Sequence, residues 1–271
     1  MDDTPHRDGL RDLVSHSLTA GLCALIPVPF ADDWARDLVR RRMARQVLAE
    51  RGLGADAAAL DLLALGKEPP TARSVARGCV QTVIVWPFRF LYKLLIKKLL
   101  RKLIFLLAVK DAVDTFSRTF HEGYLLRHAA RLGSLDRTTS DDASAQRLSL
   151  ASARPVRSAM DAVIDSVDPR PVESTARLVL RSSRGVLRGA VRSLHRGLRA
   201  LGRSGRRDEE RVLREIERDV EATGGMVDRL VAGLASNAGY LDALRRMLAS
   251  RLAGTPPAVQ QSAPAADATE A

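Results

Sequence analysis

Apolar residues recur three or four positions apart through most of the chain, the interval that lines one face of an α-helix. Leu10, Leu13, Val14, Leu18, Leu22 and Leu25 form the first such run. It predicts a helix from Leu10 to Ile26, stopped where Pro27 and Pro29 cannot continue it. Asp32 or Asp33 is placed to cap a second helix, from Trp34 to Glu50. There Trp34, Leu38, Met43, Val47 and Leu48 alternate with Arg40, Arg41, Arg42 and Arg45, and Gly52 and Gly54 follow as stops. An Ala/Leu helix from Ala55 to Leu65 closes at Gly66 and the Pro69-Pro70 pair. The pattern from Thr71 to Leu132 is again mostly helical, with a kink expected at Trp86-Pro87.

Gly133 to Arg154 breaks the rhythm. It is polar, rich in Ser and Thr, and reads as a linker with at most a partial helix. Helical spacing returns over Val156–Val167, Val172–Leu201, Asp208–Ala222 and, as one or two helices, Met226–Ala253. No repeat and no sheet is predicted. The expected fold is all-α: a helical module at 10–132, a flexible linker at 133–155 and a second helical module at 156–253. Disordered tails are expected at 1–9 and 254–271.

Composition agrees with this class. Aromatics are only 4% of the 271 residues, and Ala, Leu and Arg dominate, which favours helix over strand. The net charge of +11 changes the picture more, because it is unevenly placed. Residues 69–110 hold nine Lys or Arg and no acid, and residues 174–207 hold ten Arg and no acid. Two basic windows on a slightly acidic body point to polyanionic partners: anionic lipid, nucleic acid or an acidic protein.

In the first window, Phe88 to Asp111 is oily and acid-free until its last residue. On a helix, Arg89, Lys93, Lys97 and Arg101 form one stripe, widened by Lys98 and Lys102. Leu95, Leu99 and Leu103 lie away from it, and Trp86 and Phe88 stand where an interfacial anchor places its rings. The pattern suits a helix lying in a membrane interface, with the six cations on anionic headgroups and the apolar side chains inserted. A core helix with a wet basic edge has the same pattern. The uncharged runs are short for a full span, so a shallow insertion or a hydrophobic hairpin is expected rather than an ordinary transmembrane helix.

The second window is more regular. Arg177, Arg181, Arg184, Arg188, Arg192, Arg196, Arg199 and Arg203 fall on about one third of a helix circumference. This ridge suits phosphate, from lipid or nucleic acid. Alternatively, the acidic run 208–222 folds back and neutralises it.

Candidates for chemistry are thin. His121 and His128 are seven apart, so HEGYLLRH fails the metalloprotease spacing. With Asp114 they share a helix face, which fits helix packing better than a metal site. Asp32 and Asp33 are explained as a cap and not as a catalytic pair. Cys23 and Cys79 lie among apolar residues without redox or metal spacing, as reduced buried thiols do. No nucleotide loop or nucleophile motif occurs, so neither a cofactor nor an enzymatic activity is expected. The first residues, MDDTPHRDGL, lack the basic start of a secretory signal, so export is not expected. Oligomeric state is not legible.

The block LCALIPVPFADDWARDLVRRRMARQVLAERGL, Leu22 to Leu53, resembles an uncharacterised bacterial family with an IPVPF-x-DD motif ahead of an Arg-rich helix. More distantly it resembles helical modules of the DUF697 and EcsC types. The likeness covers about 30 residues and extends loosely to about residue 130. It implies a helical, membrane-associated module, the DUF697 type often accompanying a GTPase domain that this sequence lacks. It carries no catalytic residue. The expectation is a cytoplasmic protein held peripherally at the inner face of the cell membrane by anionic lipid.

Overall fold

Eight helices and one minimal strand pair make up the regular structure of the computed structural model, which describes residues 4–25, 31–67, 101–135, 147–183, 218 and 224–254. In chain order these are α1 (Thr4–Cys23), α2 (Ala31–Ala49), β1 (Gly54–Ala55), α3 (Ala57–Leu65) and α4 (Arg101–Arg131). Then come β2 (Arg147–Leu148), α5 (Leu150–Ser166), α6 (Arg170–Ser182), α7 (Gly224–Ala235) and α8 (Ala238–Leu252). The fold is all-α. The exception is a two-residue parallel pair, Gly54 opposite Arg147 and Ala55 opposite Leu148, which the sequence pattern does not reveal because two residues have no period.

α1 and α4 pack closely because small residues let their backbones approach. A Cβ on Gly21 would lie 2.7 Å from the backbone oxygen of Ala112 and 3.3 Å from the Phe116 Cβ. At the other end of the crossing, Leu13 and Met43 fill the space above Gly123, where a Cβ would come within 2.3 Å of the Leu13 Cδ1. Leu18, Leu22, Leu48, Leu63, Phe116 and Phe120 are among the largest fully buried side chains here. The rings of Phe116, Phe120 and Tyr124 stack along α4 at centroid spacings of 6.2 and 5.8 Å.

The described parts of the two expected modules share this core. Met160 of α5, Val172 and Ala176 of α6, Leu230 of α7 and Leu244 and Leu248 of α8 belong to the same buried cluster as the α1–α4 residues. Arg11 of α1 also pairs with Asp228 of α7 at 2.7 Å. The expected two-body arrangement, with a tether between, is therefore not how these residues pack. α5 begins at Leu150, inside the range read as linker. Ser149 and Ser152 form a reciprocal capping box there, Ser149 Oγ accepting from the Ser152 N–H and Ser152 Oγ from the Ser149 N–H. Counting these serines as mere polarity, together with Pro155 inside the helix, hid the start.

Other boundaries move for equally local reasons. α1 begins at Thr4, earlier than its apolar stripe. α2 begins at Ala31, so Asp32 and Asp33 sit inside its first turn and not at the cap. There they face the positive helix end, and Asp33 pairs with Arg36. α6 stops at Ser182 and does not run on to Leu201. The Ser182 hydroxyl donates back to the Val179 carbonyl at 2.9 Å, and buried Ser183 accepts from Arg229 of α7 at 3.1 Å. α7 lies against α6, and Gly233 leaves room for the Thr175 methyl, which a Cβ there would meet at 2.6 Å. Among the described residues no helix is long and apolar enough to cross a membrane. The predicted kink at Trp86-Pro87 and the acidic run 208–222, apart from Arg218, lie outside them.

Gly21→Ala should destabilise the protein by about 1–3 kcal/mol, because the opposing atom is backbone and cannot rotate away. Gly239→Ala meets nothing within 4 Å and serves as the control. Urea unfolding of the two variants checks this: a lowered midpoint is expected for the first alone.

Candidate functional site

The predicted binding residues divide sharply by position. Trp86, Phe88, Arg89, Lys93, Leu95, Lys97, Lys98 and Leu99 lie outside the described residues, as do Arg184, Arg188, Arg192, Arg196, Arg199 and Arg203. Arg101, Lys102 and Leu103 form the first turn of α4. Arg177 and Arg181 are one turn apart on the exposed face of α6, with Arg177 3.9 Å from Glu173. Leu178 beside them is 72% exposed. α6 ends at Ser182, one turn after Leu178.

A group that sequence reasoning did not single out sits at the centre of the fold. Glu122 of α4 is 2% exposed, and three arginines converge on its carboxylate. Oε1 accepts from Arg157 Nη2 of α5 at 3.1 Å and from Arg118 Nε at 3.3 Å, and Oε2 accepts from Arg40 of α2. Arg157, itself 4% exposed, also grips Asp161 with two bonds of 3.0 and 2.7 Å. Its Nη1 donates to the Leu63 carbonyl at the end of α3 at 3.0 Å, satisfying one of that helix's open acceptors. Gly66 caps the same helix in the left-handed region at φ 66, and a Cβ there would come within 2.8 Å of Arg157 Nη2. In the sequence, Glu122 stood out only as the glutamate of the failed HEGYLLRH match. Its signal was subtler: one acid within an otherwise buried helix face.

Beside this network is a cleft of about 220 Å³. Asp114, Asp161, Asp165 and Glu173 line it, with Arg118 and His121. Asp161 and Asp165 are one turn apart on α5, a spacing visible in sequence but uninformative until α4 and α6 complete the walls. The cleft is acidic, so it is not the anion site that the basic windows predict. Among the described residues no group of His, Cys, Asp or Glu is arranged to hold a metal ion.

His121 is engaged on both nitrogens. Its Nδ1 donates to the Ser117 carbonyl at 2.6 Å, which leaves Nε2 to accept from the Tyr240 hydroxyl of α8 at 2.6 Å. Burial lowers its pKa from the ordinary 6.5, opposed by the Ser117 carbonyl and the Glu122 charge. Burial likewise pushes the Tyr240 hydroxyl well up, assisted by Asp168 and Glu173. His121 is therefore a neutral strut between α4 and α8, offering a cleft occupant neither free lone pair nor proton. His128, seven residues on, also has its pKa lowered, first by burial and then by Arg245 and Arg131. Cys23 is buried, and its thiol is pushed up to about 12 by the same desolvation. Cys79 lies outside the described residues.

No family model, curated protein or solved structure matches the chain.

Removing the central carboxylate leaves the largely buried Arg40 without its counter-charge and buried Arg157 with Asp161 alone. Glu122→Ala should therefore cost about 3–5 kcal/mol, read as a lowered denaturant midpoint. A second expectation concerns pH. The unfolded chain takes up a proton at His121 before the folded chain does, because the folded pKa is the lower one. Its contribution to stability is complete above about pH 6.5 and declines as the pH falls below that value. Unfolding measured at pH 7.5 and 5.5 should show this loss in the native protein and a smaller one in His121→Gln.

Proposed function

We propose that the protein adsorbs to anionic membrane surfaces without catalysing a reaction. In this reading it is a peripheral protein of the inner face of the cell membrane. The observation that carries the reading is the acid-free window of residues 69–110, whose nine cations are set among aromatic and long aliphatic side chains. Basic residues find the headgroups, at about 1 kcal/mol each near an anionic leaflet, and the apolar side chains insert. The course of α4 supports the coupling of this window to the fold. The helix runs unbroken from Arg101, within the window, to Phe116 and Phe120 in the core. A segment gripped at a surface would thus be continuous with the element around which the other helices pack.

A nucleic-acid role through the Arg-rich stretch 177–203 is the alternative. Arg177 and Arg181, exposed on α6, favour it. Its guanidiniums suit phosphate equally well.

Flotation of the full-length protein with phosphatidylglycerol and phosphatidylcholine vesicles, across salt and with DNA as competitor, separates the two. Anionic vesicles should carry the protein, in part even at high salt, and Leu99→Asp with Leu103→Asp should abolish the salt-resistant fraction. Failure to float, with salt-sensitive DNA binding lost when Arg184, Arg188 and Arg192 become Gln, would transfer the function to the arginine stretch.

A further inference from the structure

The C-terminal end of α4 gathers positive charge from three parts of the fold. Arg127 and Arg131 are one turn apart at its end. Arg127 is held in place: Nη2 reaches both oxygens of Glu50, at the end of α2, at 2.6 and 2.5 Å. Its guanidinium also lies against Gly9 of α1, where a Cβ would fall 2.2 Å from Nη1. This ion pair brings the turn after α2, with exposed Arg51, to the same end of α4. Arg245 comes from α8. Its guanidinium stands 5.4 Å from the centre of the Tyr124 ring, and Nη1 is 3.1 Å from Asp242. Tyr124 precedes Arg131 by seven residues on the same helix, so Arg245 is brought to the face that carries Arg131.

The charges do not cancel. Arg127 occupies both Glu50 oxygens, and Asp242 pairs with Arg245. Neither Arg51 nor Arg131 makes an ion pair with a carboxylate among the described residues. Arg51 and Arg131 thus add two guanidiniums beside the Arg127–Glu50 and Arg245–Asp242 pairs, at the weak negative end of one helix. Their mutual repulsion registers at Arg131, whose pKa is lowered first by burial and then by Arg127, Arg245 and Arg51, with Glu50 opposing. Like charges gathered at one helix end are stabilised by an anion that accepts from several of them at once.

We propose that Arg51, Arg127, Arg131 and Arg245 form a binding site for a phosphate-bearing anion, either a free phosphate monoester or the headgroup of an anionic lipid. Arg127 and Arg245 are its fixed members, held by Glu50 and by Tyr124 with Asp242. Arg51 and Arg131 are exposed and supply the remaining donors. The site lies about 40–45 Å along α4 from Arg101, so it is separate from the basic window at the other end of that helix. It does not depend on whether that window meets a membrane.

The test uses the full-length protein and its Arg131→Gln, Arg51→Gln and Arg131→Lys variants. Inorganic phosphate and glycerol phosphate are titrated by calorimetry at low ionic strength, and phosphatidylglycerol vesicles are tested by flotation. Each Gln substitution should weaken binding about tenfold or more, while Arg131→Lys retains part of it. Loss with the soluble phosphates identifies a free phosphate monoester as the ligand. Loss confined to vesicles identifies the headgroup, and vesicle binding that survives with soluble binding lost leaves the membrane reading untouched. The thermal midpoint of ligand-free Arg131→Gln should be unchanged or raised, because a repelling charge is gone. The proposal is overturned if the native protein binds none of the three probes, or if both Gln variants bind them all as the native protein does.

Discussion

The carboxylate of Glu122 is the group around which the helices are arranged. It is buried, so it must be matched, and its matches come from α2, α4 and α5 at once. Arg157 then extends the constraint to the end of α3 through the Leu63 carbonyl and to the cleft through Asp161. A network of this kind contributes little net stability compared with a well-packed apolar centre. Its effect is on uniqueness: a rotation of α2 or α5 that apolar packing would tolerate leaves a guanidinium or a carboxylate buried and unpaired.

Around that knot the packing is set by residues with little or no side chain. Gly21 and Ala112 let α1 and α4 approach, Gly123 makes room for Leu13 and Met43, and Gly66 makes room for Arg157. The polar centre and the apolar shell therefore fix the same helices by independent means. His121 and Tyr240 add a further link, joining α8 to α4 through a short hydrogen bond.

The helical class was legible because the three-to-four spacing of Leu, Val and Ala is strong in nearly every described element. Gly66 as the stop of α3 was legible too, since a left-handed cap needs glycine. Less visible were features made by pairs distant in sequence. Glu122 meets Arg40 across 82 positions, and His121 meets Tyr240 across 119; neither separation has a periodic signature. The Ser149–Ser152 box lacks the Glu or Gln that usually marks such a start, so α5 was read as linker in its first turn. The acidic cleft shows the same limit, since its carboxylates come from three helices. The candidate anion site at the end of α4 was hidden likewise, because Arg51 and Arg245 are far from Arg131 in sequence.

α6 ends at Ser182 and α7 begins at Gly224, and the two are fastened to each other by Arg229 on Ser183 and by Thr175 in the space above Gly233. Residues 184–223 therefore connect two helices that are fastened to each other. A pull on that arginine-rich stretch is divided between two attachment points and loads α6 and α7 in parallel. Mechanically, force entering through residues 184–223 reaches the packed helices as load shared by α6 and α7, and neither is peeled alone from a free terminus.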